Sequence, residues 1–355
     1  MPFFQSNDRG VAARLAVPAS LFALDYARPD FVLLRVLARG LVMWDEVEPT
    51  AVWVEAQLPE FIARWASDHS IGPRVAESAD GGGNGVVYDS EDDMEVESVG
   101  QTHAAVLAGA CLALGLRYAG TACAPAAATI TRYLEYFARR KAATPAQQAG
   151  APPPLGADRA ALESCVGVCA LALGVVMAGT GDLGALRVLR RLRRRLDAPS
   201  LTYGDHCAAS MAIGFLFLGG GRMTFGRSNE AIAALLIALY PRMPATPSDN
   251  RCHLQALRHL YVLAAQPRGV ETRDVDTGEA VYAPVEVELR SGGRLQRVAP
   301  CLLPDLALVR AVRVLGPRHW PQECTLNADT LLPPHGHPLR GGVVYVKVCS
   351  HVNVD

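Results

Sequence analysis

Residues 112–120 read LALGLRYAG, residues 171–181 read LALGVVMAGTG and residues 211–221 read MAIGFLFLGGG. Aligned on Gly115, Gly174 and Gly214, the strings stay in register on both sides. Leu112, Leu171 and Met211 coincide, then Ala113, Ala172 and Ala212, and after the glycine Leu116, Val175 and Phe215. Five residues on, each string has a second glycine, Gly120, Gly179 and Gly219, and two copies add a third, Gly181 and Gly221. Small residues on a helix let a neighbouring backbone come close, and a glycine beyond the helix end adopts the positive φ that terminates it. A short turn then starts a partner helix. The later two copies are 40 residues apart, the length of one helix pair, and the first two are 59 apart because a Pro/Ala-rich stretch intervenes. Such a period marks stacked units that bury together a face none could bury alone. The expected fold is mainly α: an α-α helical-repeat solenoid or toroid segment, followed by a small β-rich domain.

Working outward, apolar spacing stays helical with Ala and Leu dominant. From Asn229 to Tyr240, Ser228 is placed to cap, Ile232, Leu235, Leu236 and Leu239 line one face, and Pro241 ends the run. The next segment predicts another helix, capped at Ser248 or Asp249, striped by Leu254, Leu257, Leu260 and Tyr261 and stopped at Pro267. Beyond it the texture changes. Val281 to Leu289 alternates in part, Ser291 to Gly293 turns and Arg294 to Val298 returns, which predicts a hairpin; Leu306 to Leu315 and Val343 to Val348 predict further strands. The domain reading is a first helical repeat region at 1–78, an acidic disordered loop at 79–100, helical repeats over 101–268 with a Pro/Ala linker at 142–158, and a β-rich domain over 269–355. Gly81, Gly82, Gly83 and Gly85 followed by Asp89, Glu91, Asp92, Asp93, Glu95 and Glu97 motivate the loop, because such a stretch buries too little to offset its ordering entropy.

The composition names no partner. In 355 residues half are apolar and the formal net charge is −1, which argues against a generic polyanion binder or a disordered tail. Nine cysteines, scattered and mostly within apolar runs, predict buried thiols in a reducing compartment. Met1 to Gly10 lacks an apolar core, so no signal peptide is expected. The longest uncharged stretch, Ser164 to Gly181, is at the short limit for a membrane span and is better read as a core helix.

Several strings resemble chemistry. Gly179, Gly181 and Gly184 spell G-x-G-x-x-G with Asp197 downstream, but a dinucleotide site requires a short strand before the glycines, and here the preceding run is helical in composition. Arg187, Arg190, Arg191, Arg193, Arg194 and Arg195 suit nucleic acid or an import receptor, yet Leu186, Leu189, Leu192 and Leu196 thread them at helical spacing without aromatics, so a solvated helix face is expected. Cys165 with Cys169, His206 with Cys207, Cys252 with His253, and His335 with His337 lack the paired spacing of a structural zinc site. No catalytic residues, cofactor or metal are expected, and the singled-out positions are the structural glycines Gly115, Gly120, Gly174, Gly179, Gly181, Gly214, Gly219 and Gly221.

These glycine-centred pairs resemble proteasome/cyclosome repeats. Longer strings choose within that group: Ser228 to Arg268, Leu24 to Val54 and Met211 to Asn229 closely resemble the largest-subunit family of the anaphase-promoting complex rather than the proteasome-cap scaffolds, which remain the alternative. The resemblance implies a ring, or nearly a ring, of helix pairs and a β-rich segment within a ubiquitin ligase of cell division. It implies an architectural role beside the cullin/RING module, tetratricopeptide-repeat subunits, the substrate-recognition arm and coactivator, in nucleus and cytoplasm, with no direct nucleic-acid or membrane contact. The family subunit is several times longer, so the chain reads as a partial product that begins within a repeat. It shows three clear copies and a degenerate unit around Phe31 to Trp44, with exposed terminal faces and poor solubility expected.

Overall fold

The computed structural model describes residues 4–25, 27–68, 90–142, 159–195, 201–249, 253–326 and 342–349. The helices are α1 (Arg9–Arg14), α2 (Leu21–Asp25), α3 (Pro29–Val42), α4 (Ala51–Glu55), α5 (Glu60–Asp68), α6 (Ser90–Arg117), α7 (Ala124–Ala142), α8 (Arg159–Val176), α9 (Leu183–Arg193), α10 (Tyr203–Leu216) and α11 (Asn229–Ala238). Their starts follow capping chemistry. Pro29 occupies the first turn of α3, where its missing N–H costs nothing, and Thr50, Asp182 and Ser228 accept backbone N–H bonds from Trp53, Ala185 and Ala231. Helix α8 is apolar nearly all round, so it is enclosed: Val166, Cys169, Leu171, Leu173 and Val176 are each at most 1% exposed.

Two compact units result. The first comprises Met1–Met177, Asp182–Gly214 and Arg227–Ala264. In it α6 packs between α3 and α8, and α7 lies on α8. The second comprises Ala178–Gly181, Phe215–Gly226 and Ala265–Asp355. By backbone contacts Gly179, Gly181, Gly219 and Gly221 belong to the unit that contains the strands. Backbone pairing explains this: β1 (Met223–Phe225) forms an antiparallel pair with β2 (Ala265–Pro267).

The remaining strands are β3 (Gly269–Asp274), β4 (Ala280–Val281), β5 (Ala283–Leu289), β6 (Arg294–Ala299), β7 (Cys301–Leu302), β8 (Val309–Val314), β9 (Gln322–Thr325) and β10 (Val343–Val346). One sheet runs β6-β5-β8-β9, all antiparallel; another runs β10-β3-β4, with β10 parallel to β3 and β7 paired on β3. The expected hairpin is β5–β6, turning through Gly292 at φ 86°. Val285, Val287, Val312, Val314, Val344 and Val346 share one core, as the two-residue alternation of a strand requires.

Two expectations need correction. The acidic run was expected to be disordered, yet from Ser90 it forms the first turns of α6. The buried length from Val99 to Leu116 supplies a nucleus from which each added residue gains a hydrogen bond. The segment before Pro267 is a 3-10 helix, His253–Ala264. Its three-residue period turns Arg258 and Ala264 inward and leaves Leu257 at 39% and Leu263 at 70% exposure, so the stripe expected at 3.6 does not form. Arg258 instead donates to the carbonyls of Ala238, Tyr240 and Arg242, where α11 ends. The glycine cluster at 81–85, the linker at 143–158, Leu196, Asp197, Cys252, His335 and His337 lie outside the described residues.

Candidate functional site

Three helix-borne glycines, Gly40, Gly115 and Gly174, each meet a particular alanine. A methyl group added to Gly40 would sit 2.7 Å from Ala113 Cβ; one on Gly115 would sit 2.8 Å from Ala172 Cβ; one on Gly174 would sit 2.8 Å from Ala212 Cα and its carbonyl oxygen. The alanine is in every case two residues before the next glycine of the series. Gly109 is pressed on Leu33 and Gly167 lies near Ala208, so residue order rises together along α3 and α6 and along α8 and α10, making each pair parallel. Gly214, the last of the series, has nothing within 4 Å among the described residues.

The turns repeat as regularly. Gly120 N–H donates to Val175 O at 2.9 Å and Ala122 N–H to Val176 O at 3.0 Å; Gly179 N–H donates to Phe215 O and Gly181 N–H to Leu216 O, both at 2.8 Å. In register these are the same two bonds, from alternate turn residues to the two carbonyls that follow the next glycine. All four donors have positive φ: 62° at Gly120, 54° at Ala122, 78° at Gly179 and 62° at Gly181. A third instance was not visible in the sequence. Gln5 and Asn7, at φ 58° and 54°, donate to Leu41 O and Val42 O, the carbonyls that follow Gly40. Only the string Leu37-Ala38-Arg39-Gly40-Leu41, in register with 112–116, signals this unit in advance. Gly219, Gly220 and Gly221 all have positive φ, and Gly219 closes on Met223.

The other candidates are placed as follows. Gly179, Gly181 and Gly184 follow helix α8, so the strand that a dinucleotide fingerprint needs is absent there. Asp182 caps α9. On α9 the leucines Leu189 and Leu192 are buried while Arg187, Arg190, Arg191 and Arg193 are exposed. Arg195 is held by a fork-to-fork ion pair with Glu163, whose side chain is 2% exposed. Cys165 Sγ lies 3.6 Å from Ala104 O, and burial pushes the thiols of Cys165 and Cys169 upward, opposite to what a nucleophile or metal ligand needs. Among the described residues no three His, Cys, Asp or Glu side chains gather to hold a metal ion. Two stretches, Ser98–Arg117 and Arg159–Val176, are long and apolar enough to cross a membrane, but they are 94% and 72% buried within the protein.

A family model described as the APC1 fifth domain matches residues 1–266, and one described as the APC1 beta sandwich domain matches residues 268–334. A relative from Arabidopsis thaliana, named anaphase-promoting complex subunit 1, is 40% identical over 336 residues, which is 91% of this chain and 19% of its own length. The chain belongs to the anaphase-promoting complex subunit 1 family. The Homo sapiens protein of that name is 38% identical over 355 residues, covering 98% of this chain and 17% of its own length. A protein of Emericella nidulans named negative regulator of mitosis is 41% identical over 319 residues, covering 90% of this chain and 14% of its own length. The chain thus spans less than a fifth of the length of these relatives. Membership of the subunit 1 family sets aside the proteasome-cap alternative, and the beta sandwich match falls on β3 to β9.

Proposed function

We propose that this chain is a non-catalytic stretch of the scaffold of the anaphase-promoting complex, built as a helical-repeat solenoid of the kind that closes toward a ring. The observation that carries the reading is the recurrence of one contact set: a glycine on the next unit's alanine, and two turn N–H groups on the next unit's carbonyls. Helices held backbone to backbone in this way form a stiff array whose units contact their neighbours in series. Stiffness is what an assembly needs from a part that holds other subunits at fixed separations. Gly115, Gly174 and Gly214 are the close-approach positions, and Gly120, Gly179, Gly181, Gly219 and Gly221 the turn positions. Gly214 marks the face to which a further unit is added.

The partners on this reading are the cullin/RING module, the tetratricopeptide-repeat subunits, the substrate-recognition arm and the coactivator, in nucleus and cytoplasm. No cofactor, nucleic acid or membrane takes part. Affinity purification of the tagged chain from dividing cells, followed by mass spectrometry, tests this. Cullin, RING and tetratricopeptide-repeat subunits are expected; their absence from a well-folded bait overturns the reading.

A further inference from the structure

One feature of the helical unit is not used by the repeat contacts. Helices α7 and α9 leave a groove of about 330 Å³ between them, lined by Leu134, Glu135, Ala138 and Arg139 from α7 and by Val188, Arg191, Leu192 and Arg195 from α9 and its end. Its floor is apolar. Its rims are basic: Arg139 and Arg191 are exposed, and Arg187, Arg190, Arg193 and Arg194 continue the charge along α9. Among the described residues two carboxylates answer these groups, Glu135 at 3.3 Å from Arg191 and the buried Glu163 on Arg195. The chain as a whole has a net charge of −1, so this face is a local concentration of positive charge.

The arrangement is unfavourable for α9 alone. Arg187 with Arg190 and Arg191, Arg190 with Arg193 and Arg194, and Arg191 with Arg194 are like charges three or four residues apart, a spacing at which they repel across one helix face. The helix C-terminus recovers only part of that, for the last turn. A negatively charged partner relieves all of it. Guanidinium forks pair with carboxylates in bidentate geometry, and an apolar trough between basic rims fits a helix that presents aliphatic anchors one turn apart with acids on either side. Phosphate-rich strands fit less well, because Glu135 stands in the groove and no aromatic side chain lines it for base stacking.

We propose that the α7–α9 groove is a docking site for an acidic amphipathic helix of a partner protein, with two aliphatic side chains seated over Ala138 and Leu192 and carboxylates on Arg139 and Arg191. The probe is a fluorescein-labelled 16-residue helical peptide with leucines at i and i+4 flanked by glutamates, read by fluorescence anisotropy against the full 355-residue chain. The expected result is saturable binding that weakens with salt, falls at least about tenfold when both leucines become serine, and falls about tenfold or more in Arg139→Glu/Arg191→Glu. Ala138→Trp, which fills the trough without touching charge, is expected to abolish binding while leaving helicity and melting unchanged. It decides the matter should the charge-reversal variant fold poorly. No binding to the wild type, equal binding of the serine probe, unaltered binding to Ala138→Trp, or tighter binding of a 20-nucleotide single-stranded DNA overturns the proposal.

Discussion

Ala122 has a left-handed backbone where the equivalent positions hold Gly181 and Gly221. A side chain in that region costs about 1–2 kcal/mol, partly offset because glycine loses more freedom on folding. Ala122→Gly is therefore expected to stabilise the chain by about 0.5–1 kcal/mol, seen as a higher urea midpoint at unchanged slope. The two helix glycines Gly174 and Gly214 respond to alanine with opposite signs. At Gly174 the added carbon overlaps Ala212 backbone, an overpacking cost of about 1–3 kcal/mol against a helix-propensity gain of about 1 kcal/mol, so net destabilisation is expected. At Gly214 only the gain remains. Equal responses of Gly174→Ala and Gly214→Ala in thermal melts would contradict the close-approach role. The glycines of the series stand out in the sequence because the residues around them stay in register from one string to the next. Gln5 and Asn7 were not, since their side chains conceal the backbone angle that unites them with Gly120 and Ala122.

Among the helices, α6 and α8 carry polar groups that the apolar pattern hides. His103 on α6 is buried, and desolvation, aided by the charge of Arg140, lowers its pKa to about 4. The unfolded chain titrates this group near 6.5, so between pH 6.5 and about 4 it binds a proton the folded chain does not. Stability is then full above that window and is lost on acidification through it, by about 3 kcal/mol at most from this group. Melting curves from pH 7.5 to 4.5 should show the decline, and His103→Asn should flatten it. On α8, Glu163 depends on Arg195, whose side chain is 28% exposed. Arg195→Met removes this ion pair from a buried carboxylate, at a cost of about 2–3 kcal/mol after discounting for that exposure, while Glu163→Leu with Arg195→Met should recover most of it. Helix α11 and the β5–β6 hairpin were readable from caps, alternation and a turn glycine. The 3-10 stretch ending at Ala264 was not, because over twelve residues periods of 3.0 and 3.6 select overlapping apolar sets, and the buried Arg258 decides between them only once α11 is in place. The acidic start of α6 was misread for a related reason, as composition scores a segment alone while the helix grows from its buried neighbour.

At the level of the whole chain, α3 and α10 each leave side chains uncovered among the described residues. Tyr203, Ser210 and Gly214 are exposed along α10, and Phe31 is 54% exposed on α3. Gly214 is exposed on α10 and Ala38 holds the equivalent alanine position on α3, so association of copies through these faces is expected. Sedimentation velocity is expected to show concentration-dependent association that Tyr203→Lys with Gly214→Lys reduces. The ladder glycines Gly40, Gly115, Gly174 and Gly214 are separated by 75, 59 and 40 residues, yet the contact each makes, where it makes one, is the same. Contact geometry is thus indifferent to how much chain lies between rungs. Such a protein can acquire or shed sequence between its steps without renegotiating its core, which gives new recognition segments a place to arise at little risk to the fold.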